Sequence, residues 1–138
     1  MTTRSSGFTL IELLVVVAIL GIISAIGIVS YNGYVGASKK KSAENIMMQI
    51  SLAQSEYYSD NDNYFFTRTC SITGKSDPSN EIEKELLGGA DVIVKKVGYE
   101  FCVEAFSDGY KIKTEEQDTS KPCIMTYTHK SVLDKNSN

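Results

Sequence analysis

Along this chain the apolar positions take three successive spacings. From Phe8 to Val29 they are nearly continuous, and Glu12 is the one charged residue among them. At 1.5 Å of rise per residue such a run makes a helix of about 33 Å, enough to cross a hydrocarbon core of ~30 Å. A secretory signal peptide would have a shorter apolar core followed by a small-residue cleavage site; here the polar residues precede the run. From residue 37 to 58 the spacing becomes helical. Ala43, Ile46, Met47, Ile50, Ala53 and Tyr57 form one stripe, while Ser38, Lys41, Glu44, Asn45, Ser51, Ser55 and Glu56 fall elsewhere. No proline interrupts, so residues 8 to about 60 are expected to form one helix, weakened near Gly27, Gly33 and Gly36. Its first half is apolar all round and its second half amphipathic, as for a membrane segment leading into a folded body.

Ser59-Asp60-Asn61-Asp62-Asn63 is a stop signal of poor helix formers. A connecting segment over 64–90 follows, with a turn at Asp77-Pro78-Ser79-Asn80 and a short helix from Glu81 to Leu87, ended by Gly88-Gly89. Period-two alternation then takes over. Tyr99, Phe101, Val103 and Ala105 share one face of a strand, and Glu100, Cys102 and Glu104 the other. Ser107-Asp108-Gly109 reads as a hairpin turn into Tyr110, Ile112 and Thr114; Ile124 to Val132 gives a third strand and Asp91 to Lys95 a fourth; the tail from Leu133 is expected to fray. The fold class is therefore α+β: a long N-terminal helix packed on a three- to four-stranded antiparallel sheet. The organisation expected is 1–7 leader, 8–29 apolar helix and 30–138 head, the head comprising helix 30–60, connecting loop 61–90, and sheet and tail 91–138.

The N-terminal register is more specific than its hydropathy. A short polar leader ending in Gly7, then Phe8-Thr9-Leu10-Ile11-Glu12, then a long apolar helix containing Val16, Val17, Ala18, Gly21, Tyr31 and Tyr34, resembles the N-terminus of type IV pilins and related prepilins. The likeness extends over about 28 residues; the family commonly has a proline where this chain has Val29. The resemblance implies cleavage after Gly7 by a membrane-embedded prepilin peptidase and methylation of the new Phe8 amine. It implies a homopolymeric filament driven by an assembly ATPase and a platform protein, in which the Glu12 carboxylate of one subunit neutralises the Phe8 amine of its neighbour. It also implies a single-pass stay in the bacterial inner membrane before assembly and a place on the cell surface after it. A plain count of Arg4 against Lys39, Lys40 and Lys41 would put the lysines in the cytoplasm. The resemblance implies the reverse, with the body outside.

Composition narrows the chemistry. The net charge is −3, which gives no general drive toward nucleic acid; the lysine run at 39–41 is weak support for DNA contact and reads as an anionic-headgroup contact or a solvated face. His129 is the sole histidine and lies in an alternating polar strand, with no nucleophile motif near it, so it is expected to be an exposed strand residue. Asp60 and Asp62 begin like a calcium loop, but Phe65 stands where glycine is required and Ser71 where the closing glutamate belongs. Three cysteines lack zinc spacing, and the glycines form no phosphate loop, so no enzyme, metal or cofactor is expected. Cys70, Cys102 and Cys123 allow one disulfide and one free thiol outside the cytoplasm. Cys70–Cys102 is the first choice and Cys70–Cys123 the second, because two strand spacings separate Cys102 from Cys123. Two other functional classes share much of this pattern: a pseudopilin of a type II secretion system, and a single-pass anchored binding module without a filament.

Overall fold

The computed structural model describes residues 7–70, 77–93, 97–117 and 122–136, apart from the side chains at 29 and 32. It contains helix α1 (Leu10–Asn61), helix α2 (Pro78–Glu85) and strands β1 (Tyr99–Phe106), β2 (Gly109–Glu116), β3 (Ile124–Thr128) and β4 (Leu133–Asn136). The chain divides into two compact units, residues 1–38 and 39–138, and α1 contributes to both.

The first unit is helical from Leu10, and its apolar side chains are open, from Leu10 at 83% exposure to Ile28 at 65%. Among the described residues, nothing covers them. By length and composition this helix is able to cross a membrane.

In the second unit the strands form one antiparallel meander in the order β1-β2-β3-β4, with Val103 opposite Ile112 and Ile112 opposite Tyr127. Helix α1 covers one face. Ala43, Ile46, Met47 and Ile50 recur at the three-and-four spacing that puts side chains on one helix face, and they join Phe101, Val103, Tyr110, Ile112 and Met125 in the core. Ala53 and Tyr57, expected on the same stripe, are half-buried. Two polar residues are buried instead. Gln54 is 0% exposed: its Nε2 donates to the Phe65 carbonyl at 2.8 Å and its Oε1 accepts from the Phe65 N–H at 3.0 Å. The amide thus pairs with a loop backbone as a neighbouring strand would, which satisfies both at once.

Glu44, expected on the solvated side, is 5% exposed and lies between Lys135 Nζ at 2.6 Å and Lys41 Nζ at 3.0 Å. It ties α1 to β4. The Lys135 hydrogen bond, against the opposing effect of burial and with help from Lys41, holds its carboxyl below the usual range. A depressed folded-state pKa means that the unfolded chain takes up the proton first. The contribution is therefore complete above the ordinary glutamate range and lost as pH falls through the folded value. We expect Glu44→Gln to cost about 1–3 kcal/mol at neutral pH, since hydrogen bonds to charged groups lie in that range and the lysines are part-exposed. Denaturant titrations of the intact chain in detergent, at pH 7 and below pH 4, check this. The gap between variant and parent should narrow on acidification.

Four boundaries differ from expectation. Helix α2 starts at Pro78, not Glu81, because Asp77 caps it and Pro78 takes the first-turn position that lacks a useful N–H; Asp77 Oδ1 accepts from Asn80 N at 3.1 Å. The strand expected from Ile124 to Val132 is broken after Thr128 by a turn in which Ser131 has φ +60° and its N–H reaches Thr128 O at 2.9 Å. The segment expected to fray is β4, paired with β3 from Tyr127–Leu133 to Ile124–Asn136. Residues 91–93 are not a strand, and Val94 and Lys95 lie outside the described residues.

His129 is not an exposed strand residue. It sits in that turn, with its side chain 15% exposed and Nε2 3.5 Å from Asp108 Oδ1. A Cβ at Gly109 would stand 2.5 Å from the ring, so glycine is required at the start of β2 for the ring to lie there.

Candidate functional site

The N-terminal site is built from three consecutive residues, Gly7, Phe8 and Thr9, and from Glu12 at the same helix end. Gly7 has open space around it and Phe8 is 77% exposed. Thr9 is the N-cap of α1, which places Glu12 at the third helical position. The two side chains close a reciprocal box. Thr9 N–H donates to Glu12 Oε2 at 2.9 Å, Thr9 Oγ1 donates to the same oxygen at 2.5 Å, and Glu12 N–H donates to Thr9 Oγ1 at 3.3 Å. Backbone N–H groups at a helix start have no intrahelical acceptor, and in lipid they have no water either. This box supplies acceptors to two of them. It also places a negative group at the positive end of the helix dipole. The box was missed in reading the sequence, although Thr-x-x-Glu ahead of an apolar run is its signature.

Beside Glu12 lies a shallow apolar cleft of about 320 Å³, lined by Phe8, Ile11, Glu12, Val15 and Val16. One carboxylate edge, one aromatic ring and a β-branched wall thus occupy the exposed side of the first turns. Such a surface can receive another apolar helix and, at one point, a cation.

The family description "Prokaryotic N-terminal methylation motif" matches residues 2–28. The match falls on the segment that carries Gly7, Phe8 and Glu12. Over 54 residues, 39% of its length, this chain is 50% identical to the fimbrial protein EcpC of Eikenella corrodens, of which that segment is 35%. Over 61 residues, 44% of this chain, it is 41% identical to the type IV major pilin protein PilA of Myxococcus xanthus, of which the segment is 28%. The matched segment thus spans about a third of the length of the curated relatives. No solved structure matches. The long helix on a four-stranded antiparallel sheet is the pilin arrangement, and pilins are structural subunits, not enzymes.

The remaining sites are in the head. Cys70 is bonded to Cys102, with Cα atoms 5.3 Å apart. Cys102 is 0% exposed on the sheet face away from α1, and Cys123 is free and half-buried at the head of β3. The disulfide is the pairing favoured from the strand order. Around it the connecting segment closes the outer edge of β1. Thr67 N–H donates to Val103 O at 3.0 Å, Val103 N–H donates to Thr67 Oγ1 at 3.2 Å, and Phe101 N–H donates to Ser79 Oγ at 3.0 Å. Ser79 in turn donates to Glu100 Oε2. Among the described residues no group of three or more His, Cys, Asp or Glu could hold a metal ion.

Proposed function

We propose that this protein is the structural subunit of a type IV pilus. The observation that carries the reading is the register of Gly7, Phe8 and Glu12 at the head of a fully exposed apolar helix. Prepilin peptidase cuts after Gly7, and the Phe8 amine is methylated. The processed chain stands in the inner membrane until an assembly ATPase and platform protein move it into the fibre. There the apolar side chains that faced lipid face one another, so little hydrophobic burial is lost in the transfer. Glu12 of one subunit meets the Phe8 ammonium of the next. Two charges in a dry fibre core are tolerated only when paired, so the contact fixes axial register as well as affinity. The fibre serves adhesion, motility or DNA uptake at the cell surface.

The test is intact-mass analysis of fibres sheared from cells, with imaging of the same preparation. The main component should begin at Phe8 and carry one added methyl group. Fibres whose subunit retains residue 7 and those before it would refute the processing step. The absence of fibres, with the processed chain still in the membrane, would favour an anchored module.

A further inference from the structure

A polar cleft of about 480 Å³ lies in the head between two stretches of the connecting segment. Arg68 and Thr69 form one wall, and helix α2 with its cap Asp77 forms the other. The size falls in the ~300–1,000 Å³ range of small-molecule sites. Glu81 ties the walls together twice. Its Oε2 accepts from the Arg68 N–H at 3.0 Å, and its Oε1 lies 3.2 Å from Arg68 Nε. Both walls are also fixed to the sheet. Cys70, next to Thr69, is bonded to Cys102 of β1, and Ser79, next to Asn80, accepts from the Phe101 N–H at 3.0 Å. Walls held in this way need little ordering when a ligand binds.

The charges around the cleft disfavour simple ions. Arg68 and Lys84 stand among Asp77, Glu81 and Glu85, so a ligand of either sign meets like charge. At the start of α2, the Asn80 N–H that would hold an anion is already taken by Asp77 Oδ1 at 3.1 Å. The cleft offers instead a mixture of donors and acceptors. Arg68 Nε is engaged, but a guanidinium has five N–H donors, and this side chain is 92% exposed. The Thr69 hydroxyl and the Asn80 side-chain amide each donate and accept, and both residues are exposed. Pro78 adds an apolar patch to the lining. A sugar matches this set. Each of its hydroxyls both donates and accepts, it carries no charge, and its C–H groups suit the proline. We propose that the cleft binds a neutral oligosaccharide, with Arg68, Asn80 and Lys84 among its hydrogen-bonding groups. The proposal goes beyond the filament reading and does not depend on it, since the cleft belongs to the head alone. A few hydrogen bonds exchanged with water give a Kd on the order of 1 mM. Display of many copies on the proposed fibre would raise avidity by about 10²–10⁴.

The test is titration of the isotope-labelled full chain, in a detergent without a sugar headgroup, with cellotriose and with chitotriose. Amide chemical shifts are the readout. Those of Thr69, Asn80 and Lys84 should move together, with a Kd that hardly changes between about 50 and 500 mM salt, because a neutral ligand has no charge to screen. Asn80→Ala and Lys84→Ala should each weaken binding about three- to tenfold, the effect of one lost hydrogen bond. Both side chains are exposed, so the melting temperatures of these variants should stay within about two degrees of the parent. Two supports separate the sources of such a sugar. Retention of the chain on immobilised exopolysaccharide from its own cells, or on chitin or cellulose beads, supports the proposal where the double variant is not retained, and it names the source. The proposal falls if neither trisaccharide moves these amides at about 50 mM, well above the expected Kd. It falls equally if the shifts lie elsewhere in the head, or if both variants bind as the parent does. A stronger response to inorganic phosphate or to spermidine, fading as salt rises, would make the cleft an ion site and overturn the sugar reading. None of these outcomes depends on whether the chain forms fibres.

Discussion

Glu12→Val should insert into the membrane as well as the parent, or better, and yield at least about a hundredfold fewer fibres. A carboxylate in an apolar helix costs up to about 2.5–3.5 kcal/mol on insertion scales, and less near the helix end, so its removal favours the lipid state. Under the proposed pairing, the same change leaves the Phe8 ammonium of the neighbouring subunit in the fibre without a counter-charge. Removing one member of a buried pair costs about 3–5 kcal/mol, which is two to three orders of magnitude in an association constant. The Thr9–Glu12 box adds a second effect, since its loss weakens the helix start by about 1 kcal/mol. Glu12→Gln separates the two. Glutamine at this position still accepts from the Thr9 N–H but carries no charge. If register depends on charge, Glu12→Gln fails to assemble while its helix start stays intact. If capping alone matters, it assembles normally. Membrane-fraction blots and fibre counts on the three strains decide the matter, and normal fibres from Glu12→Val at normal protein level would remove the pairing argument.

Cys70→Ala should destabilise the head by about 3–4 kcal/mol, the chain-entropy value for a loop of this size. The bridge spans 32 residues. Cys102, left as a thiol in a fully buried site, behaves as a small apolar group and adds little penalty of its own. The loss is large against the stability of about 5–15 kcal/mol typical of a small domain. The bridge also holds the segment whose Thr67 and Ser79 serve the β1 edge, so loosening should appear there first. Urea melts of the detergent-solubilised chain measure the total. Amide exchange at Phe101 and Val103 locates it: these N–H groups should lose protection before those of Ile112. Equal melts with and without the bridge would show that the connecting segment is held by its other contacts.

Helix and sheet were legible because their periodicities are strong. The spacing of Ala43, Ile46, Met47 and Ile50 admits one reading, and so does the alternation of Tyr99, Phe101 and Val103. What was not legible depends on partners distant in sequence. Gln54 looks like a surface residue until Phe65 folds back on it, and Glu44 looks solvated until β4 delivers Lys135. The break between β3 and β4 was hidden because His129, Lys130 and Ser131 continue an alternating pattern and include no glycine or proline. Ser131 adopts its positive φ under tertiary constraint, here the hydrogen bond from Thr128 N–H to Val132 O and the packing of His129 over Gly109. At the N-terminus the motif was plain, whereas the second duty of its glutamate as a capping group emerged only with the side chains in place.

The covered edge of β1 bears on how a protein of this kind survives its own concentration. Chains stored side by side in a membrane, or stacked in a fibre, meet one another constantly, and a bare strand edge would invite runaway β-pairing of the amyloid sort. Here one rim of the sheet is occupied by threonine and serine side chains, and the other is only Leu133–Asn136, short and carrying Asp134 and Lys135. In the proposed fibre, growth is thereby left to helices, whose mutual contacts lipid can replace. A polymer joined in that way can be taken apart again one subunit at a time, whereas one joined through its sheets could not.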